Sequence, residues 1–278
     1  MASTTTGWTP IQYAASNPDP SNDQQTGSSE GDIVGNALHP SVYTTFGDGN
    51  TPSLTDGTLA FRVRVGADSS PAGFKAALFV GIDANNDGAL DLFLGVNNSG
   101  SADSVAIWNP GAGLNISPST TTIVSTPLVS YTPTAANYNW TVVSTAIDPT
   151  VGTATDLDGG GKPDYFLTFS INFADVVTQL SSKGITGINE NSAFSYVIST
   201  ATQANSLNQD LNGVDKNYDP AAIWSVLGVV SNQMSPAGMA IVPETKTILS
   251  LSLAILAILT HDQLSRRRLR RRRSVSLL

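Results

Sequence analysis

From residue 57 onward the chain keeps returning to one pattern, a short run of β-branched, aliphatic or aromatic residues closed by Gly, Pro, Asn or Asp. "TLAFRVRVG" starts the series; "FKAALFVGID", "LDLFLGVN", "SVAIWN", "TTIVSTPLVSY", "YNWTVVSTAI", "DYFLTFSIN" and "FSYVISTAT" continue it. Runs of this length between tight-turn residues read as strands. Charged residues make up only 13% of the chain, too few for long salt-bridged helices. The succession predicts an all-β fold over residues 57–236, a β-sandwich of jelly-roll type. In the first run Leu59, Phe61, Val63 and Val65 alternate with Ala60, Arg62 and Arg64, which predicts one apolar and one solvated face. One helix is expected in "FADVVTQLSSKG", where Phe173, Val176, Val177 and Leu180 share a face and Gly184 is the stop. "AAIWSVLGVV" reads equally as strand or helix. Residues 1–56, with "SNPDPSNDQQTGSSEGD", read as a polar, turn-rich leader.

Charge divides the chain unevenly. Residues 1–243 hold 20 acidic and 6 basic groups, a charge of −14, whereas the remaining 35 residues hold 2 acidic and 8 basic groups, a charge of +6. The acidic part repels phosphate backbones and so argues against a nucleic-acid partner, but it suits divalent cations. Cysteine is absent, which excludes disulfides, thiolate metal sites and a cysteine nucleophile. The N-terminus, "MASTTTGWTPIQYAASNPDP", shows no basic segment followed by an apolar one, so no signal peptide is visible.

Two acidic loops resemble each other. "DANNDGALDLFLGV" offers Asp83, Asn85, Asp87 and Asp91 with Gly88 in the middle; "DLDGGGKPDYFLTF" offers Asp156, Asp158 and Asp164 with Gly161 in the middle. Ca²⁺ takes six to eight oxygen ligands, and alternate residues of a tight loop can aim their oxygens at one point. A central Gly allows the turn that folds them inward. The first loop resembles the Asp-x-Asn-x-Asp-Gly calcium loops of EF-hand and dockerin type, with Leu94 where the bidentate Glu would stand. Its flanks read as strands, so a calcium-bound β-hairpin turn is expected. The second has Gly160 in place of a third ligand, and plain Asp/Asn/Gly turns between strands explain both loops too. "QDLNGVDKNYDP", with Asp215, Asn217 and Asp219, reads as an ordinary loop.

Catalytic constellations are lacking. The only histidines are His39, expected to be exposed in a polar loop, and His261; Glu occurs only as Glu30, Glu190 and Glu244. No nucleophile elbow or phosphate loop is present, and the chain does not read as an enzyme. Trp8, Trp108, Trp140 and Trp224 could stack on sugar rings if exposed, although a place in the core is the simpler expectation for each.

The last stretch, 237–278, is of another kind. It carries "VPET", an apolar run from Ile248 to Leu259, and then Arg266, Arg267, Arg268, Arg270, Arg271, Arg272 and Arg273. The run, extended to Leu264, reads as a hydrophobic helix held on the cytoplasmic side by the arginines. An amphipathic surface anchor and a nucleic-acid-binding arm are the other readings of such a tail. The order of parts resembles the PEP-CTERM sorting signals of Gram-negative bacteria, with Val242, Pro243 and Glu244 matching the motif and Thr245 where Pro is commonest. This resemblance implies export, an inner-membrane intermediate, and processing near the motif by an exosortase-type membrane protease. The expectation is a cell-surface or biofilm-matrix protein, structural or adhesive, with a calcium-stabilised β-domain and exopolysaccharide as a potential contact. A carbohydrate-binding module or glycan-active enzyme delivered by the same route is the alternative.

Overall fold

A computed structural model describes residues 7–13, 19–26, 28–68, 73–100 and 103–237. Two antiparallel sheets pack face to face. The first contains β1 (Thr9–Pro10), β2 (Val42–Gly47), β3 (Thr58–Val65), β9 (Tyr165–Asn172) and β8 (Tyr138–Val142), in that spatial order. The second runs β11 (Asp210–Leu211), β10 (Ser195–Ala201), β4 (Ala77–Asp83), β5 (Leu92–Asn97), β6 (Ser104–Trp108) and β7 (Val129–Tyr131). The all-β sandwich is therefore as expected. Its strand order differs from a jelly roll. The chain passes between the sheets three times, from β3 to β4, from β7 to β8 and from β9 to β10; β3 lies antiparallel beside β9 and β4 beside β10, so the first and last crossings are at opposite ends of the sandwich. A jelly roll places mostly non-consecutive strands side by side in each sheet, whereas here β4, β5, β6 and β7 follow one another as a meander. Pairings between strands so far apart in the chain leave no local trace, so the sequence pattern does not foresee them.

Between the sheets, Leu59, Phe61, Val63 and Val65 of β3 and Leu167, Phe169 and Ile171 of β9 meet Leu78, Val80 and Ile82 of β4 and Leu92, Leu94 and Val96 of β5. Phe61 stacks on Phe169 and meets the edge of Tyr196. The helix α1 (Phe173–Ser182) adds Phe173, Val176 and Leu180 to the same core, and it stops before Gly184 as expected. The ambiguous "AAIWSVLGVV" resolves into a single helical turn, α2 (Trp224–Leu227), closed by Gly228.

Neither outer face is bare. Phe79, Phe93, Trp108 and Val197 on the outside of the second sheet are covered by Leu211, Trp224 and Val229 from the C-terminal part of the domain. Tyr43, Ala60 and Phe166 on the outside of the first sheet are covered by Trp8, Val143 and Val151. This double coverage is why β4 is apolar without alternation and buried along its whole length. It also corrects the expected solvated face of β3: Arg62 and Arg64 are 3% and 1% exposed. Arg62 lies over the Trp8 ring at 4.5 Å, and its Nε donates to Thr168. The segment read as a leader is likewise woven in. β2 pairs with β3 along its whole length, and Ile33 and Val34 are fully buried. Polar composition hid this role, because β2 ("VYTTFG") is half Thr and Gly. Val242, Pro243, Glu244, Thr245 and the arginines lie outside the described residues, as does the expected hydrophobic helix. Among the described residues no helix is long and apolar enough to cross a membrane.

Candidate metal centre

The two acidic loops sit at opposite ends of the sandwich. β4 starts at Ala77, paired with Ala201, and ends at Asp83, paired with Ser195. β3 ends at Val65 opposite Tyr165, and the chain crosses from there towards Ala77. Asp164 therefore shares an end with the start of β4, and Asp83 lies at the far end.

The 83–91 loop forms a β-hairpin turn between β4 and β5, as expected. Each of its polar side chains is occupied with the turn itself. Asp83 accepts from the N–H groups of Asp87 and Gly88, Asn85 from Asp87, Asp87 from Ala89, and Asp91 from Ala84 at 2.8 Å. Gly88 supplies the positive φ, +89°, on which the turn depends. Burial raises the pKa of Asp83, and it pushes Asp91 up to about 6. Among the described residues, Asp83, Asp87 and Asp91 do not gather as one ligand group; two other trios do. The loop with the fuller sequence match is thus the one whose three carboxylates do not converge.

The 156–164 loop behaves otherwise. Asp156, Asp158 and Asp164 bring one oxygen each within 4.8 Å of one another. Two oxygens bound to one Ca²⁺ at about 2.4 Å are at most about 4.8 Å apart, so this spacing is compatible with a shared ion. Asp156 accepts from the N–H groups of Gly160 and Gly161, and Gly161 has φ +77°. Asp158 accepts from Gly160, and burial raises its pKa. Asp164 is fully buried, and Arg64 reaches it from β3 with Nε at 2.7 Å and Nη2 at 2.5 Å. Burial still pushes Asp164 up to about 6, outweighing the guanidinium beside it. Oδ1 of Asp164 has no hydrogen-bond partner among the described residues.

The second trio, Asp19, Asp23 and Asp210, was not foreseen from sequence. Asp32 stands next to it, accepting from the N–H groups of Asn22 and Asp23. Asn22 also donates from Nδ2 to the Asp158 carbonyl at 2.7 Å, so both trios belong to one acidic end of the domain. No spacing motif could reveal carboxylates this far apart in the chain. The one available signal is the density of Asp in "NPDPSNDQQTGSSEGD". Asp215 and Asp219 serve their own loop, accepting from Asn217 and Ala221, as an ordinary loop would.

The remaining candidates are structural in place. Trp8, Trp108 and Trp224 are buried; Trp140 is half-buried and stacked on Tyr165 with ring centroids 4.7 Å apart. His39 is half-buried, not exposed as expected, because Asn36 folds its turn back on the domain through hydrogen bonds with the His39 backbone. No family model, no curated protein and no solved structure matches the chain.

Proposed function

We propose that the chain is an exported cell-surface or biofilm-matrix protein, structural or adhesive and not an enzyme. In this reading an exosortase-type protease processes it through the C-terminal signal, and calcium stabilises its β-domain. The observation that carries the proposal is the order of parts after the domain: Val242–Thr245, an apolar run, then seven arginines. Such a tail holds a −14 domain at a membrane only until it is cut, since positive residues are retained at the cytoplasmic face. The acidic end around Asp156, Asp158 and Asp164 supports the calcium part. Exopolysaccharide is the proposed surrounding of the released domain. A glycan-binding role has one observation in its favour, the partly exposed Trp140–Tyr165 stack.

The test is mass spectrometry of the mature protein from its native host. Every residue beyond about Lys246 should be missing, as cleavage at the membrane edge requires. Replacing Pro243 and Glu244 with Ala should leave a full-length, membrane-bound form. Arginines intact in surface-extracted protein would refute the sorting reading.

A further inference from the structure

Asp19, Asp23 and Asp210 are 4%, 3% and 5% exposed, and Asp32 is fully buried. Burying ionised carboxylates is costly unless an opposite charge accompanies them. Here none does. Among the described residues none of the four makes an ion pair, whereas Asp164 has Arg64 beside it. Lys216, the cation nearest in the hydrogen-bond network, is exposed and donates to the Asn22 carbonyl instead.

The oxygens are also under-used. Asp19 accepts from the Gly213 N–H through Oδ1 only, and its Oδ2 is buried without a partner. Both oxygens of Asp23 are buried without a partner. Asp210 accepts from the Ile33 N–H with Oδ2. Meanwhile one oxygen from each of Asp19, Asp23 and Asp210 lies within 4.8 Å of the other two. Like charges converge, their free lone pairs face one another, and protein donors satisfy only part of them. A cation at the centre would supply both the missing charge and the missing partner.

We propose that Asp19, Asp23 and Asp210 form a calcium site that fastens the N-terminal segment to the β10–β11 hairpin, with Asp32 holding the 22–23 turn in place. The donors are all oxygen, which selects a hard cation over zinc or copper. A site closed to solvent favours Ca²⁺ over Mg²⁺, which gives up its water reluctantly and demands a near-ideal octahedron. The three ligands come from segments some 190 residues apart, since the Gly213–Asp19 bond alone spans 194 positions. The ion is therefore a clasp across the whole domain and not a turn ornament. The site is separate from the Asp156 group and does not depend on where the protein is delivered.

The experiment is calorimetric titration of the full chain, stripped with EDTA, with CaCl₂ and separately with MgCl₂. Asp19→Asn with Asp23→Asn should bind one Ca²⁺ fewer per chain than the unmodified protein. Asp156→Asn with Asp158→Asn should leave this site's binding intact. Equal stoichiometry in the Asp19/Asp23 variant would overturn the proposal, and Mg²⁺ binding as tight as Ca²⁺ would overturn the choice of ion. Hydrogen exchange on the unmodified chain needs no variant to fold. Calcium should slow exchange at Asn22, Asp23, Ile33 and Gly213 by about tenfold or more, as expected when a local opening is suppressed. Unchanged exchange at these amides would also overturn it.

Discussion

Replacing Arg64 with Met should be among the most damaging single changes to the domain, and the structure indicates how damaging. Arg64 and Asp164 are 1% and 0% exposed, so the small value of a surface ion pair, about 0–1 kcal/mol, does not apply. Removing one partner of a buried pair costs about 3–5 kcal/mol, because the other charge stays behind without compensation. Met keeps the length and apolar stem of Arg but leaves Asp164 with one donor, the Leu157 N–H, and frees the Ala154 carbonyl. For a domain of this size about 1 kcal/mol moves Tm by about 2–4 °C, so a fall of roughly 6–20 °C is expected near pH 7. Adding Asp164→Asn removes the stranded charge while keeping an acceptor for Leu157, and the double variant should recover most of the loss. The assay is thermal and urea unfolding of all four proteins in EDTA, read as a double-mutant cycle. Below pH 6 the Arg64→Met penalty should shrink, since the stranded carboxyl takes up a proton. Strictly additive single effects, or an Arg64→Met variant melting within about 2 °C of the parent, would refute the reasoning.

Trp224→Ala should cost about 3–5 kcal/mol in urea unfolding, because Trp224 is 2% exposed and its Nε1 donates to the Asn115 carbonyl; a loss under about 1 kcal/mol would mean the outer cover is not part of the cooperative unit. In EDTA the domain should lose stability as pH rises. Burial pushes Asp23 up to about 7 and Asp91 and Asp164 up to about 6, so the folded state holds protons that the unfolded chain releases near pH 4. Stability from these groups is complete below about pH 4 and falls through pH 7, and Tm should be lower at pH 7.5 than at pH 5. Calcium should lessen the difference, and a Tm that rises over the same interval would contradict the assignment.

The strands were legible because their signal is local. "ALFVGID" and "LFLGVN" are continuous apolar runs around a turn, and they form β4 and β5 as such. The α1 face was legible for the same reason, with Phe173, Val176 and Leu180 at helical spacing. What escaped depends on contacts between distant residues. Alternation in "TLAFRVRV" reads as inside and outside, but the outside is roofed by Trp8 and residues 143–154, so Arg62 and Arg64 end up buried. A hint was present: only six basic residues precede position 244, and two of them stand in one otherwise apolar strand. The acidic loops show the same limit. Spacing identified Asp83, Asn85, Asp87 and Asp91, yet the three carboxylates among them do not gather at one point. Asp210 is far from Asp19 and Asp23 in the chain, and only the fold brings the three together.

The pairing of β3 with β9 and of β4 with β10 dictates an order of events. β3 cannot close the first sheet until β9 exists, as the Arg62–Thr168 bond spans 106 positions, and β4 waits for β10 in the same manner. Local hairpins such as β2–β3 and β4–β5 can form early, but each leaves one side open until residues 165–201 arrive. Closing such long loops is entropically expensive, which slows folding of domains dominated by distant contacts. A chain threaded N-terminus first through a narrow channel would therefore stay incompletely folded until most of the domain had passed. Under the proposed export, such a topology would keep the chain pliable in transit and let it set only on arrival.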